Sequence, residues 1–165
     1  MKPGQSGNSF LPERISAFFP LVEKPEFFND LGRCRRQRPF VSMKVINQDI
    51  LFFFDGKPRE LALYGCFADG VLARWPGAEI RVRKTQISFF EGRLFACVSM
   101  TPVRKRAERP ARFITVTFGL DHPLDDPRAV AVQVRPNRWT HHVIVGGEGE
   151  IDEQLFQWIE AGRNR

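Results

Sequence analysis

The side chains with the clearest chemical potential lie in "IRVRKTQISFF", residues 80–90. Read as an extended strand, Ile80, Val82 and Lys84 share one face while Arg81 and Arg83 share the other. An ammonium on an apolar face is costly unless it is paired. Desolvation would turn such a lysine into a base or an imine-forming amine. Gln86 and Ser88 continue the same alternation, so Lys84, Gln86 and Ser88 form a polar strip suited to lining a small-molecule pocket. The ordinary alternative leaves Lys84 at a strand end, with its ammonium in water or against a carboxylate.

A second group sits in "RWTHHVIV" at 138–145. His141 and His142 are adjacent in a strand and therefore point to opposite faces, which prevents both from holding one metal ion. The remaining histidine is His122, and no spacing matches a zinc signature. Neither a metal nor a cofactor is expected. One histidine of the pair is suited to proton transfer or hydrogen bonding, with Arg138 and Trp139 beside it to hold an anion or a planar ring. Cys97, between Ala96 and Val98, reads as a buried and inert thiol. Asp121, Asp125 and Asp126 fit turn formation better than a calcium loop. No GxSxG, P-loop or GxGxxG occurs. The absence of a catalytic constellation points to a binding protein more than to an enzyme.

Charge opens an alternative. The net charge is +6, with basic clusters at 33–38 and 104–112. In that reading Arg104, Lys105, Arg106, Arg109 and Arg112 track nucleic-acid phosphates, with Arg81 and Arg83 extending the patch. Stacking aromatics at single-strand-binding spacing are not evident. A third reading is a homodimeric interaction module. The pairs Phe18-Phe19 and Phe27-Phe28 would then meet a second subunit, because exposed phenylalanine pairs invite association. Docking on the chain's own body competes with it.

The elements that must position these groups follow from pattern. Residues 1–45 form an extension with short helices, and residues 1–12 are a Gly-, Ser- and Pro-rich tail. Residues 46–165 form a single domain. "DILFFFDG" is a short helix or turn. A helix starts at Pro58, with Leu61, Gly65, Ala68, Leu72 and Trp75 as its stripe, and stops at Pro76-Gly77. Strands follow at 80–84, 85–90 and 93–100, the last two joined at Glu91-Gly92, then at 113–118. "TPVRKRAERPAR" is a long exposed connection. A last strand pair turns at Pro136-Asn137. An amphipathic helix over about 150–161, with Ile151, Leu155, Trp158 and Ile159 inward, ends at Gly162. The order defines an α+β fold: an antiparallel or mixed curved sheet of five or six strands, with helices packed on one face. Three widely spaced cysteines suit reduced thiols in a cytoplasmic protein. The longest apolar run, Ile50 to Phe54, is far below the roughly 18 residues of a membrane span.

The combination "RVRKTQISFF", "FACVSM" and "DDPRA…RWTHHVIV…EIDEQLFQWI" resembles, over about residues 59–162, a bacterial domain-of-unknown-function family related to the YdhG-like proteins. The resemblance implies a small α+β fold with helices on a curved antiparallel sheet. The wider group is similar in outline to frataxin-like iron chaperones. That analogy of fold transfers no activity, and the acidic ridge of such a chaperone has no counterpart in this basic chain.

Overall fold

The computed structural model describes residues 46–165. The proposed extension at 1–45, its phenylalanine pairs, Cys34 and the basic run at 33–38 lie outside the described residues. Three α-helices are present among the described residues: α1 (Gln48–Phe53), α2 (Pro58–Arg74) and α3 (Glu153–Arg163). Six strands run between α2 and α3. They are β1 (Glu79–Val82), β2 (Gln86–Glu91), β3 (Arg93–Ser99), β4 (Ile114–Leu120), β5 (Ala129–Arg135) and β6 (Arg138–Val145). The sheet order is β1-β2-β3-β4-β6-β5, and every pairing is antiparallel. The expected α+β class is therefore observed, with six strands and no parallel pair among the described residues.

Alternation along the strands divides the sheet into two unlike faces. Ile87, Phe89, Ala96, Val98, Val116, Phe118, Val143 and Val145 fill the helix-side face and belong to the core. The opposite face, open in that no helix among the described residues lines it, carries Gln86, the buried Ser88, Cys97, Thr117 and His142, of which Ser88, Cys97, Thr117 and His142 lie in one cross-strand row.

The helices close the core with rings. Phe54 packs on Tyr64 at 5.3 Å, Phe67 meets Phe89 edge-on at 5.5 Å and stacks on Phe156 at 5.8 Å, and Trp75 meets Phe95 at 5.3 Å. Each such pair contributes roughly 0.5–1.5 kcal/mol beyond simple burial. The chain of contacts ties α1, α2, β2, β3 and α3 together.

Several details differ from the pattern-based reading. Of the expected α2 stripe, Gly65, Ala68 and Trp75 are buried, whereas Leu61 and Leu72 are only partly buried, and Leu63, Tyr64, Phe67, Gly70 and Val71 with Glu60 complete the buried face. This helix carries apolar residues on both flanks, and the ring-bearing flank wins because it buries more area. Of the three phenylalanines at 52–54, Phe54 is buried while Phe52 stays exposed. α3 begins later than expected because Asp152 caps it, accepting from the Leu155 amide at 2.9 Å. Phe156 joins Leu155 and Ile159 on its buried face.

Two glycines permit close approach. The edge of the Phe156 ring occupies the space where a Cβ of Gly70 would sit. Gly162, expected as a helix stop, lies inside the last turn of α3. A Cβ there would overlap the backbone carbonyl oxygen of Gly119 on β4. Ion pairs fasten the same helix: Arg74 with Glu153, Arg163 with Glu91, and Arg128 with Asp152 at 2.7 Å.

Gly162→Ala is accordingly expected to destabilise the protein by about 1–3 kcal/mol, the usual cost of overpacking. Urea denaturation measures it directly. An unchanged midpoint would show that α3 does not approach β4 this closely.

Candidate functional site

Lys84 does not lie on the apolar face. β1 ends at Val82, and the chain reverses over Arg83–Gln86, where the Arg83 amide donates to the Gln86 carbonyl at 2.9 Å. Lys84 stands exposed at this hairpin tip, with its ammonium in water. Gln86 and Ser88 do share the open face, and Gln86 Nε2 donates to Ser88 Oγ at 3.1 Å. The polar strip is thus present without its lysine.

The two halves of the expected pocket fall at opposite ends of the strands. Gln86 pairs with Ser99, at the end of the sheet where β4 begins. Arg138 and Trp139 lie at the other end, where Trp139 pairs with Leu120. His141 and His142 point to opposite faces, as the alternation requires. His141 is fully buried on the helix side, its ring stacked on Phe118 at 5.5 Å. Its Nε2 accepts from the Leu124 amide at 3.1 Å, which places the ring proton on Nδ1. That Nδ1 is buried without a hydrogen-bond partner among the described residues. His142 is on the open face, its Nδ1 2.9 Å from Thr117 Oγ.

A cleft of about 180 Å³ opens at the Arg138 end. It arises where β3 and β4 part company. Their paired residues run only from Ser99↔Thr115 to Ala96↔Phe118, whereas β4 continues beside β6 as far as Leu120. β3 is turned aside by a bulge: Phe89 pairs with Ala96 and Phe90 with Leu94, so Phe95 has no cross-strand partner and packs into the core. Leu94–Cys97 form one wall, and Thr117–Gly119 form the other. Arg138, Trp139, Thr140, Gly162 and Arg165 complete the lining. The Arg165 guanidinium lies against Gly119, with Nη2 3.1 Å from where a Cβ would be.

The cleft combines cations, hydroxyls and an apolar wall, an arrangement that can hold an anion attached to a ring. Nucleophilic chemistry is disfavoured there, because burial pushes the Cys97 thiol up to about 11. Sequence reasoning found Arg138 and Trp139 but missed Thr117, Thr140, Leu94 and Arg165. The signal for Thr117 was available in "ITVTF", where the threonines alternate with Val116 and Phe118. Among the described residues no cluster of three or more His, Cys, Asp or Glu could hold a metal ion.

The basic residues assigned to nucleic acid are partly engaged within the chain. Arg81 pairs with Glu79 at 2.8 Å and covers the Phe90 ring. Arg104 donates to the Pro127 carbonyl, Arg109 covers Phe113 at 4.7 Å, and Arg112 faces the buried Glu60 at 3.8 Å. Arg83, Lys105 and Arg106 are exposed. No helix among the described residues is long and apolar enough to cross a membrane.

Fold and site together define an α+β domain, one antiparallel sheet covered by helices on a single face with a cleft between two of its strands. A family model described as a domain of unknown function (DUF5655) matches residues 53–162, and the chain belongs to that family. No curated protein and no solved structure matches it significantly.

Burial holds the His141 ring below the ordinary histidine range, ahead of smaller effects from His122, His142 and Arg165, and burial does the same to His142. The unfolded histidines take up protons near pH 6.5 while the buried rings resist. Stability is therefore present above about pH 6.5 and is lost as pH falls towards the lowered folded values. Protonation of His141 also removes the acceptor for Leu124. Urea midpoints are expected to fall below about pH 6.5, with a shallower fall in His141→Gln. An equal slope in the variant would contradict this role.

Proposed function

We propose that the chain binds a small planar anion, of the aromatic carboxylate class, in the cleft between β3 and β4. The observation that carries this reading is the gap left where the two strands stop pairing, with Arg138 and Arg165 in its lining. Its size of about 180 Å³ is appropriate to one ring, since an apolar cavity of about 150 Å³ accommodates benzene. The carboxylate meets the Arg138 and Arg165 guanidinia, which present planar forks to such a group. The Thr140 hydroxyl adds a hydrogen bond, Thr117 donates its hydroxyl proton when His142 Nδ1–H is the donor of their 2.9 Å bond, and Leu94 with Phe95 supplies the apolar wall. The reading keeps small-molecule binding at the sheet and moves its centre from Lys84 to Arg138 and Trp139.

A nucleic-acid partner is the weaker proposal, because Arg81, Arg104, Arg109 and Arg112 already serve internal contacts. Arg83, Lys105 and Arg106 remain for phosphates, and three neutralised phosphates would give only a shallow salt dependence.

Calorimetric titration of the full chain with benzoate tests the main proposal. Arg138→Gln is expected to weaken binding on the order of tenfold, about 1.4 kcal/mol, while Lys84→Met leaves it unchanged. Loss of binding in Lys84→Met with Arg138→Gln unaffected would return the site to the hairpin tip.

A further inference from the structure

The two edges of the sheet are unlike. β1, at one edge, has four residues and carries the Glu79–Arg81 ion pair. Short length and charge are common protections of a free strand edge. β5, at the other edge, has seven residues, "AVAVQVR", with no charge before Arg135 and no proline. One of its sides pairs with β6, and the other has no strand beside it among the described residues. Val132 and Val134 are 49% and 58% exposed, two of the five large apolar side chains left to solvent among the described residues. Val130 and Val132 both rise on the open face, opposite His142 and Thr140.

The regular part of this strand ends at Gln133. Val134 is an extra residue between the pairs Gln133↔Trp139 and Arg135↔Arg138. The uninterrupted ladder therefore spans Ala129 to Gln133 and centres on Ala131. Two such ladders related by a twofold axis are self-complementary. Val130 of each copy faces Val132 of the other, and Ala129 faces Gln133.

Charge supports the same arrangement. At the strand's entry three carboxylates (Asp125, Asp126 and Asp152) meet two guanidinia, Arg128 on Asp126 and Asp152 and Arg104 on the Pro127 carbonyl, so the entry is acidic by one charge. It ends at Arg135, followed by Arg138, so its exit is basic. Antiparallel self-pairing brings the basic exit of each copy to the acidic entry of the other, twice. A parallel arrangement would set like charges together.

We propose that β5 pairs antiparallel with β5 of a second copy of this chain, forming a twofold-symmetric dimer with one continuous twelve-stranded sheet. Backbone hydrogen bonds supply the attraction, as in strand addition generally. The valine pairs fix the register, and the contact is closed because both copies use the same patch. The dimer is independent of the cleft, which lies on the β3–β4 side of β6.

Sedimentation velocity on the full chain tests the proposal with two charge variants. Wild type is expected to sediment as a dimer. Val130→Lys/Val132→Lys and Val130→Glu/Val132→Glu each set like charges face to face across the seam, so each alone is expected to be monomeric with an unchanged far-ultraviolet spectrum. Their equimolar mixture is expected to return to a dimer, since every facing pair is then complementary. A monomeric wild type across the concentration range overturns the proposal. So does a dimer that survives both variants and disappears only on deletion of residues 1–45. Two monomeric variants that fail to combine would show that β5 does not face itself.

Discussion

The site depends on one constraint, the unequal pairing of β4 with its two neighbours. β4 is registered with β6 from Ile114 to Leu120 and with β3 only from Thr115 to Phe118. The difference leaves the far end of β4 without β3 beside it. Two independent features hold the strands apart. On the β3 side, the bulge turns Phe95 into the core against Trp75 and Phe89, and returning it to the ladder would empty that space. On the β4 side, Gly162 of α3 lies against the Gly119 carbonyl and fixes the strand to the helix. An opening in the middle of an antiparallel sheet exposes backbone polar groups and is costly. Here the apolar burial of Phe95 and the seating of α3 offset that cost.

The same division of labour governs the rest of the molecule. The helix-side face is apolar and ring-rich, and its contacts run from α1 through α2 and the sheet to α3. The opposite face carries Ser88, Cys97, Thr117 and Thr140 on its central strands, small side chains that leave room where the cleft emerges, and turns apolar only at β5, with Val130 and Val132. Charged groups follow this plan. Arg74 packs over Phe156 and Arg128 over Trp158, each while paired with a carboxylate at the start of α3. A positive net charge in this chain is therefore partly structural, serving as clips between α3 and the body.

Much of the fold was legible in the sequence because local signals were strong. Pro58 opens α2, Gly92 takes a left-handed conformation between β2 and β3, and Asn137 does so between β5 and β6. Period-two alternation placed His141 and His142 on opposite faces. The misreadings occurred where local signals were silent. The β1–β2 turn is Arg83-Lys84-Thr85-Gln86, with no glycine, proline or asparagine to mark it, so alternation alone carries the strand through Lys84. The face of α2 was ambiguous because leucines and aromatic residues lie on adjacent flanks, and only the sheet decides between them. The cleft could not be read at all. It depends on a bulge at Phe95 and on the long-range meeting of Gly119 with Gly162, and neither leaves a trace in spacing.

The central claim is that this gap is a binding site for a planar anion. Chemical-shift mapping of the ¹⁵N-labelled full chain with benzoate tests it most directly. The account predicts saturable shifts confined to Leu94–Cys97, Thr117–Gly119, Arg138–Thr140 with the Trp139 indole, and Gly162–Arg165, with Arg83–Gln86 unmoved. Shifts centred on Arg83–Gln86, or absent from both strands bordering the gap, would contradict it.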